Sequence, residues 1–206
     1  SELIAAKNGY HGNTQGAMSI MGFEERKRAY RPLIPNVKFI EFNNITDLSI
    51  ITNKTAGVVI ETIQGGAGFI EPQNHYLEAL KQHCELVGAL LILDEIQPGF
   101  GRTGALFGFQ HYNVVPDILV IGKAMASGLP VGGFVSSFAL MQNLTDQPKM
   151  SHITTFGGHP VIAAAAKATL ETLTNSNLIP QTLVKEQLFR ELLTHDLIEE
   201  VRGRGL

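Results

Sequence analysis

Six short apolar runs punctuate the chain: Leu3–Ala6, Val37–Phe42, Gly57–Ile60, Ala89–Leu93, Ile118–Ile121 and Val131–Ser136. Several are continuously apolar rather than alternating, the pattern of strands covered on both faces. Helical spacing lies between and after them. Tyr76–Val87 places Tyr76, Leu77, Leu80, Cys84 and Val87 on one stripe and meets a stop at Gly88. Pro160–Leu173 is alanine-rich with proline in its first turn, and Leu183–Leu193 is amphipathic. Strands alternating with helices of this length predict an α/β fold, a mainly parallel sheet flanked by helices, in one domain with a substantial core.

Composition removes whole classes of alternative. With 44% apolar and 17% charged residues and a formal charge of -3, the 206-residue chain is no disordered segment. It also lacks the basic footprint of a nucleic-acid binder. No apolar run approaches the roughly 18 residues that span a bilayer. Nothing at the start resembles a secretory leader, and Cys84 is the single cysteine, so the expectation is a cytoplasmic protein without disulfides.

In open α/β sheets ligands sit beyond the carboxyl ends of the strands. Glu61-Thr-Ile-Gln-Gly-Gly-Ala-Gly68 follows the third predicted strand, Asp94-Glu-Ile-Gln-Pro-Gly-Phe-Gly-Arg-Thr-Gly104 the fourth, and Gly122-Lys123 the fifth. Gly99-x-Gly101-x-x-Gly104 matches a dinucleotide fingerprint by letter and opens an NAD-dependent oxidoreductase alternative. Pro98 and Gly108 interrupt the helix that fingerprint requires, and Asp117 precedes its strand instead of ending it. A non-catalytic scaffold is the other alternative. Lys123 is the sharper feature, because a lysine emerging straight from a buried strand suits Schiff-base chemistry, where the amine must lose its proton. Asp94 is the kind of carboxylate that holds a pyridinium nitrogen protonated. Each has an ordinary reading as a strand-end residue; together they are the two groups that pyridoxal phosphate chemistry most requires.

Five stretches then carry a resemblance: Tyr10-His-Gly-Asn-Thr14, Glu61-Thr-Ile-Gln-Gly65, Leu93 through Gly104, Pro116 through Lys123, and His152-Ile-Thr-Thr-Phe-Gly-Gly-His-Pro160. In order and spacing the chain resembles class III pyridoxal-phosphate-dependent aminotransferases. The resemblance implies the large cofactor domain of a fold-type I enzyme and a transferase, with pyridoxal 5'-phosphate attached at Lys123. It implies Asp94 at the pyridine nitrogen, Gln97 near the ring hydroxyl, Ile96 on one ring face and Tyr10 on the other. Thr155 is implied to reach the cofactor phosphate of a neighbouring subunit, making a homodimer with a shared active site. Substrates would be a small amino donor of acetylornithine, ornithine or ω-amino-acid type and a 2-oxo acid acceptor, 2-oxoglutarate. His11, His152 and His159 fall in these motifs, and their spacing fits no metal site.

Two positions depart from the pattern. Many family members have arginine at the place of Asn13 and glutamate at that of Gly66, and the arginine holds a substrate carboxylate. An asparagine there lacks both the charge and the bidentate fork. This departure favours the ω-amine:pyruvate type as the runner-up. By the same resemblance residues 1–206 are an incomplete cofactor domain. The N-terminal segment, the phosphate loop and the C-terminal small domain would lie outside it, and these residues alone are expected to be inactive.

Overall fold

The computed structural model describes residues 1–146, 148–150 and 152–206. Strands β1 (Glu2–Ala6), β2 (Val37–Ile40), β3 (Thr55–Glu61), β4 (Leu90–Asp94), β5 (Ile118–Gly122) and β6 (Gly132–Ser136) form one sheet ordered β2-β1-β3-β4-β5-β6. Every neighbouring pair is parallel except β5 and β6. The reversal follows from the connection: residues 123–131 are too few for the crossover of roughly a dozen residues that a parallel pair needs. All six expected strands are present, with ends within two residues of those the apolar runs suggest. β2 stops at Ile40 rather than Phe42, because the Glu41 N–H is diverted to Asp47 Oδ2 at 2.8 Å.

Six α-helices accompany the sheet among the described residues: α1 (Gln15–Ser19), α2 (Glu24–Lys27), α3 (Tyr76–Val87), α4 (Phe138–Asp146), α5 (Pro160–Thr174) and α6 (Leu178–Leu192). α3 has the predicted bounds. Its stripe of Tyr76, Leu77, Leu80 and Cys84 is buried, and Gly88 ends it at φ 79°, a left-handed conformation that favours glycine. That stripe packs on Ile4, Ile40, Val58, Ile60, Leu91 and Leu93 to make the main core. On the other side Phe100, Leu119 and Ile121 gather with Phe107, Phe109 and Leu173. The central strands are thus covered on both faces, as continuous apolar runs require.

α6 begins at Leu178 instead of Leu183. Pro180 lies in its first turn, where the missing N–H leaves no intrahelical bond unmade. Among the described residues α5 buries no side chain and α6 buries only Thr182. Their outer surfaces, with the turn before α5, expose Phe156, Val161, Val184 and Phe189.

Candidate active site

Parallel register brings the functional residues level. Glu61 at the end of β3 pairs with Asp94 at the end of β4, and Asp94 pairs with Val120 of β5, from which the chain leads to Lys123. Each strand therefore delivers one titratable group to the same rim.

Asp94 is buried. Its Oδ2 lies 2.8 Å from Nδ1 of His11, and its Oδ1 accepts the Ile96 N–H at 3.0 Å. An ionised carboxylate only accepts, so the His11 ring donates from Nδ1. Nε2 of His11 is buried and has no partner among the described residues. The Asp94 carboxylate is thus held from two sides. His11 is the site residue that sequence reasoning passed over. It lies 83 positions from its partner, in the loop that follows β1, a strand separated from β4 by β3. The only signal available was its place directly after Tyr10.

Glu61 joins two of the site's loops. Its Oε2 accepts the Tyr10 N–H at 2.9 Å and its Oε1 the Gly65 N–H at 3.1 Å. Burial pushes its carboxyl above the usual carboxylate range, and Asp94's charge adds to the rise, against the pull of both N–H groups and of His11. A carboxyl raised in the folded state binds its proton more tightly there than in the unfolded chain. Its contribution to stability is therefore lost as pH climbs from the ordinary value of 4.5 through the raised one. Glu61→Gln is expected to flatten that decline, read as the slope of urea-unfolding stability against pH between about 4 and 8. A slope equal to the parent's would show that Glu61 does not titrate in this window.

Lys123 opens the short helical turn after β5 with φ 44°, a left-handed conformation uncommon for a side chain of its size. Its Nζ stands 3.5 Å from Gln97 Oε1, a long contact that leaves the amine free to engage another group. No carboxylate pairs with Lys123 among the described residues. Gly65 lies against the same amide: a Cβ there would come within 2.5 Å of Gln97 Oε1, so a larger residue would push the Gln97 amide out of its present place. Lys123, Gln97, Ile96 and Gly65 line one cleft of about 370 Å³ with Ile63, Arg102 and Arg204, and no Asp or Glu is among its lining residues.

The remaining expected positions are spread around this cleft. Tyr10 does not line it but abuts Gly66, where a Cβ would lie 3.4 Å from Tyr10 Cβ. Asn13 is exposed just before Thr14, the residue that caps α1. Thr155 is exposed in the turn before α5 and does not line the cleft of its own chain. The segment Gly99–Gly104 runs as turns and bends, and the next helical turn starts only at Gly108, so the dinucleotide fingerprint lacks its helix.

The donor set suits a negatively charged, ring-bearing cofactor. A lysine without an acid partner among the described residues follows β5 and a backed carboxylate ends the adjacent β4, while the cleft walls carry cations and glycine backbone instead of acids. Pyridoxal 5'-phosphate is a group this arrangement would suit, with Lys123 toward its aldehyde carbon and Asp94, which lies behind the residues lining the cleft, toward its ring nitrogen.

Comparison with known proteins agrees. The family model for class III aminotransferases matches residues 1–206, and the chain belongs to that family. It is 41% identical over 210 residues to a [LysW]-aminoadipate semialdehyde/glutamate semialdehyde transaminase of Sulfolobus acidocaldarius, covering 100% of this chain and 54% of that protein. It is 37% identical to the acetylornithine aminotransferase of Clostridium acetobutylicum, again covering 100% of this chain and 54% of the relative. The ornithine aminotransferase of Toxoplasma gondii superposes with a TM-score of 0.91 at 32% identity, over 100% of this chain and 50% of that one. The chain spans about half the length of the curated relatives it matches.

Proposed function

We propose that the protein carrying this chain is a pyridoxal-phosphate-dependent aminotransferase. It moves an amino group from an acetylornithine-, ornithine- or ω-amino-acid-type donor to 2-oxoglutarate. The observation that carries the reading is Lys123, unpaired by any acid among the described residues, one strand away from an Asp94 carboxylate fixed by His11. The two curated relatives act, by their names, on acetylornithine and on semialdehyde substrates. When bound, the cofactor's protonated ring delocalises the electron pair left at the amino-bearing carbon. Lys123 holds the cofactor and then, through Nζ, takes and returns the proton at that carbon. Asp94 stabilises the positive ring nitrogen, and the hydrogen bond from His11 keeps its carboxylate oriented for this.

Gln97 beside Lys123 would reach the ring hydroxyl, with Ile96 on one ring face and Tyr10 on the other. Thr155 would serve the cofactor phosphate of the second subunit in a cytoplasmic homodimer. Its exposure in the turn before α5, beside exposed Phe156 and Val161, supports that contact. Residues 1–206 would form the large cofactor domain, completed by a phosphate loop and a small domain elsewhere in the protein.

The second reading is an ω-amine:pyruvate aminotransferase. Asn13 and Gly66 favour it, because neither brings a charge to the substrate side. Two measurements test the proposal on the full-length protein. Borohydride reduction followed by peptide mapping should find the cofactor fixed to Lys123, and a cofactor absent from that peptide overturns the reaction class. A panel of donors against 2-oxoglutarate and pyruvate then decides the substrate. Activity only with uncharged amines and pyruvate selects the second reading.

A further inference from the structure

We propose that Arg102 is a specificity-determining residue whose guanidinium receives a carboxylate of the substrate. The inference rests on the aminotransferase reading and adds the chemical class of the group held opposite Lys123. Three cationic side chains belong to residues lining the cleft: Lys123, Arg102 and Arg204. Arg204 is engaged, its Nε donating to Glu71 Oε2 at 2.8 Å. Lys123 contacts only the Gln97 amide and is committed to the amine chemistry. Arg102 forms no ion pair and no side-chain hydrogen bond among the described residues, and no acid lines the cleft to neutralise it.

The base from which this guanidinium projects is rigid. The Arg102 carbonyl accepts the Leu206 N–H at 2.8 Å, and Thr182 Oγ1 of α6 donates to the preceding Gly101 carbonyl at 3.1 Å. Gly101 and Gly104 take φ 88° and 84°, so the loop turns where other residues would be strained. A Cβ on Gly104 would also collide with Leu183 of α6 at 2.6 Å. An exposed guanidinium with no ion pair among the described residues, on a fixed loop that lines an acid-free cleft, is suited to bidentate binding of a planar anion. Asn13, exposed and uncharged, supplies no competing fork.

The cofactor phosphate is also an anion, so the test separates the two sources. Calorimetry on the full-length protein uses two probes, glutarate, which carries carboxylates but neither amine nor oxo group, and inorganic phosphate. In the cofactor-loaded parent glutarate binds, and Arg102→Gln weakens it about ten- to hundredfold, the loss expected for charge-assisted hydrogen bonds. Arg102→Lys recovers part of that loss, and phosphate affinity of the cofactor-free protein stays unchanged. Should Arg102→Gln fail to fold, Arg102→Lys decides alone, because it keeps the charge and removes the fork; an unchanged glutarate affinity then overturns the proposal. A parent that does not bind glutarate overturns it, and so does a variant whose phosphate affinity falls while glutarate is unaffected. Failure of the aminotransferase reading shows separately, as absence of cofactor attachment at Lys123.

Discussion

Lys123→Ala in the full-length protein is expected to reduce amino-group transfer by about a thousandfold or more. A positioned acid–base group contributes roughly 10²–10⁴ in rate, and this residue also holds the cofactor. Three features localise the loss to Lys123. It follows β5 directly, so its backbone is set by the sheet. Its Nζ has only Gln97 Oε1 within hydrogen-bonding reach among the described residues, at 3.5 Å, and the residues lining the cleft include no second lysine and no histidine to substitute. The left-handed backbone at φ 44° aims a long side chain at the cleft from a position that local sequence preference disfavours. Folding should be unaffected, because Lys123 is exposed and joins no ion pair among the described residues. Single-turnover transfer from a good donor, with the unfolding midpoint as a control, checks both halves. Retained transfer at parental rate would remove Lys123 from the chemistry.

How much of this was legible beforehand depends on the range of each interaction. Strand positions and α3 follow from local pattern: the stripe through Tyr76, Leu80 and Cys84 and the stop at Gly88 sit within one short window. Lys123, Asp94 and Gln97 were also accessible, because strand-end position needs only the strands to be found. What could not be read were contacts made across the sheet. His11 meets Asp94, Glu61 takes the Tyr10 N–H, and Thr182 reaches Gly101, each between residues distant in the chain. The antiparallel β6 is an intermediate case, since the brief 123–131 connection forces it once β5 and β6 are recognised as neighbours. α1 and α2 are too short to show a helical period, at five and four residues.

Glu95→Ala is expected to cost about 3–6 kcal/mol of folding stability, a large share of the roughly 5–15 kcal/mol a domain possesses. Glu95 immediately follows Asp94 but points away from the chemistry, and it is fully buried. Its Oε1 accepts the Thr62 hydroxyl at 2.6 Å and the Phe109 N–H at 2.7 Å, while Oε2 accepts the Gly108 N–H at 2.7 Å. This one carboxylate therefore closes the long glycine-bearing loop from Glu95 to Phe109 back onto its own start. A Cβ on Gly108 would lie 3.3 Å from Oε1, so the backbone approaches about as closely as it can. Burial raises the carboxyl above its usual range, against the pull of all three donors, which marks desolvation as the opposing cost. Alanine removes the acceptor and strands two buried N–H groups and a hydroxyl, each worth about 1–3 kcal/mol when left unsatisfied. Glutamine keeps one accepting oxygen and turns an amide donor toward a backbone donor, so Glu95→Gln should lose less than Glu95→Ala and more than a surface change. Urea-unfolding midpoints rank the three proteins. Amide exchange at Gly108 and Phe109 should accelerate in both variants before the core strands open. A loss below about 1 kcal/mol for Glu95→Ala would mean that water replaces the carboxylate and that the loop holding Gln97 and Arg102 is shaped by its glycines and by α6 instead.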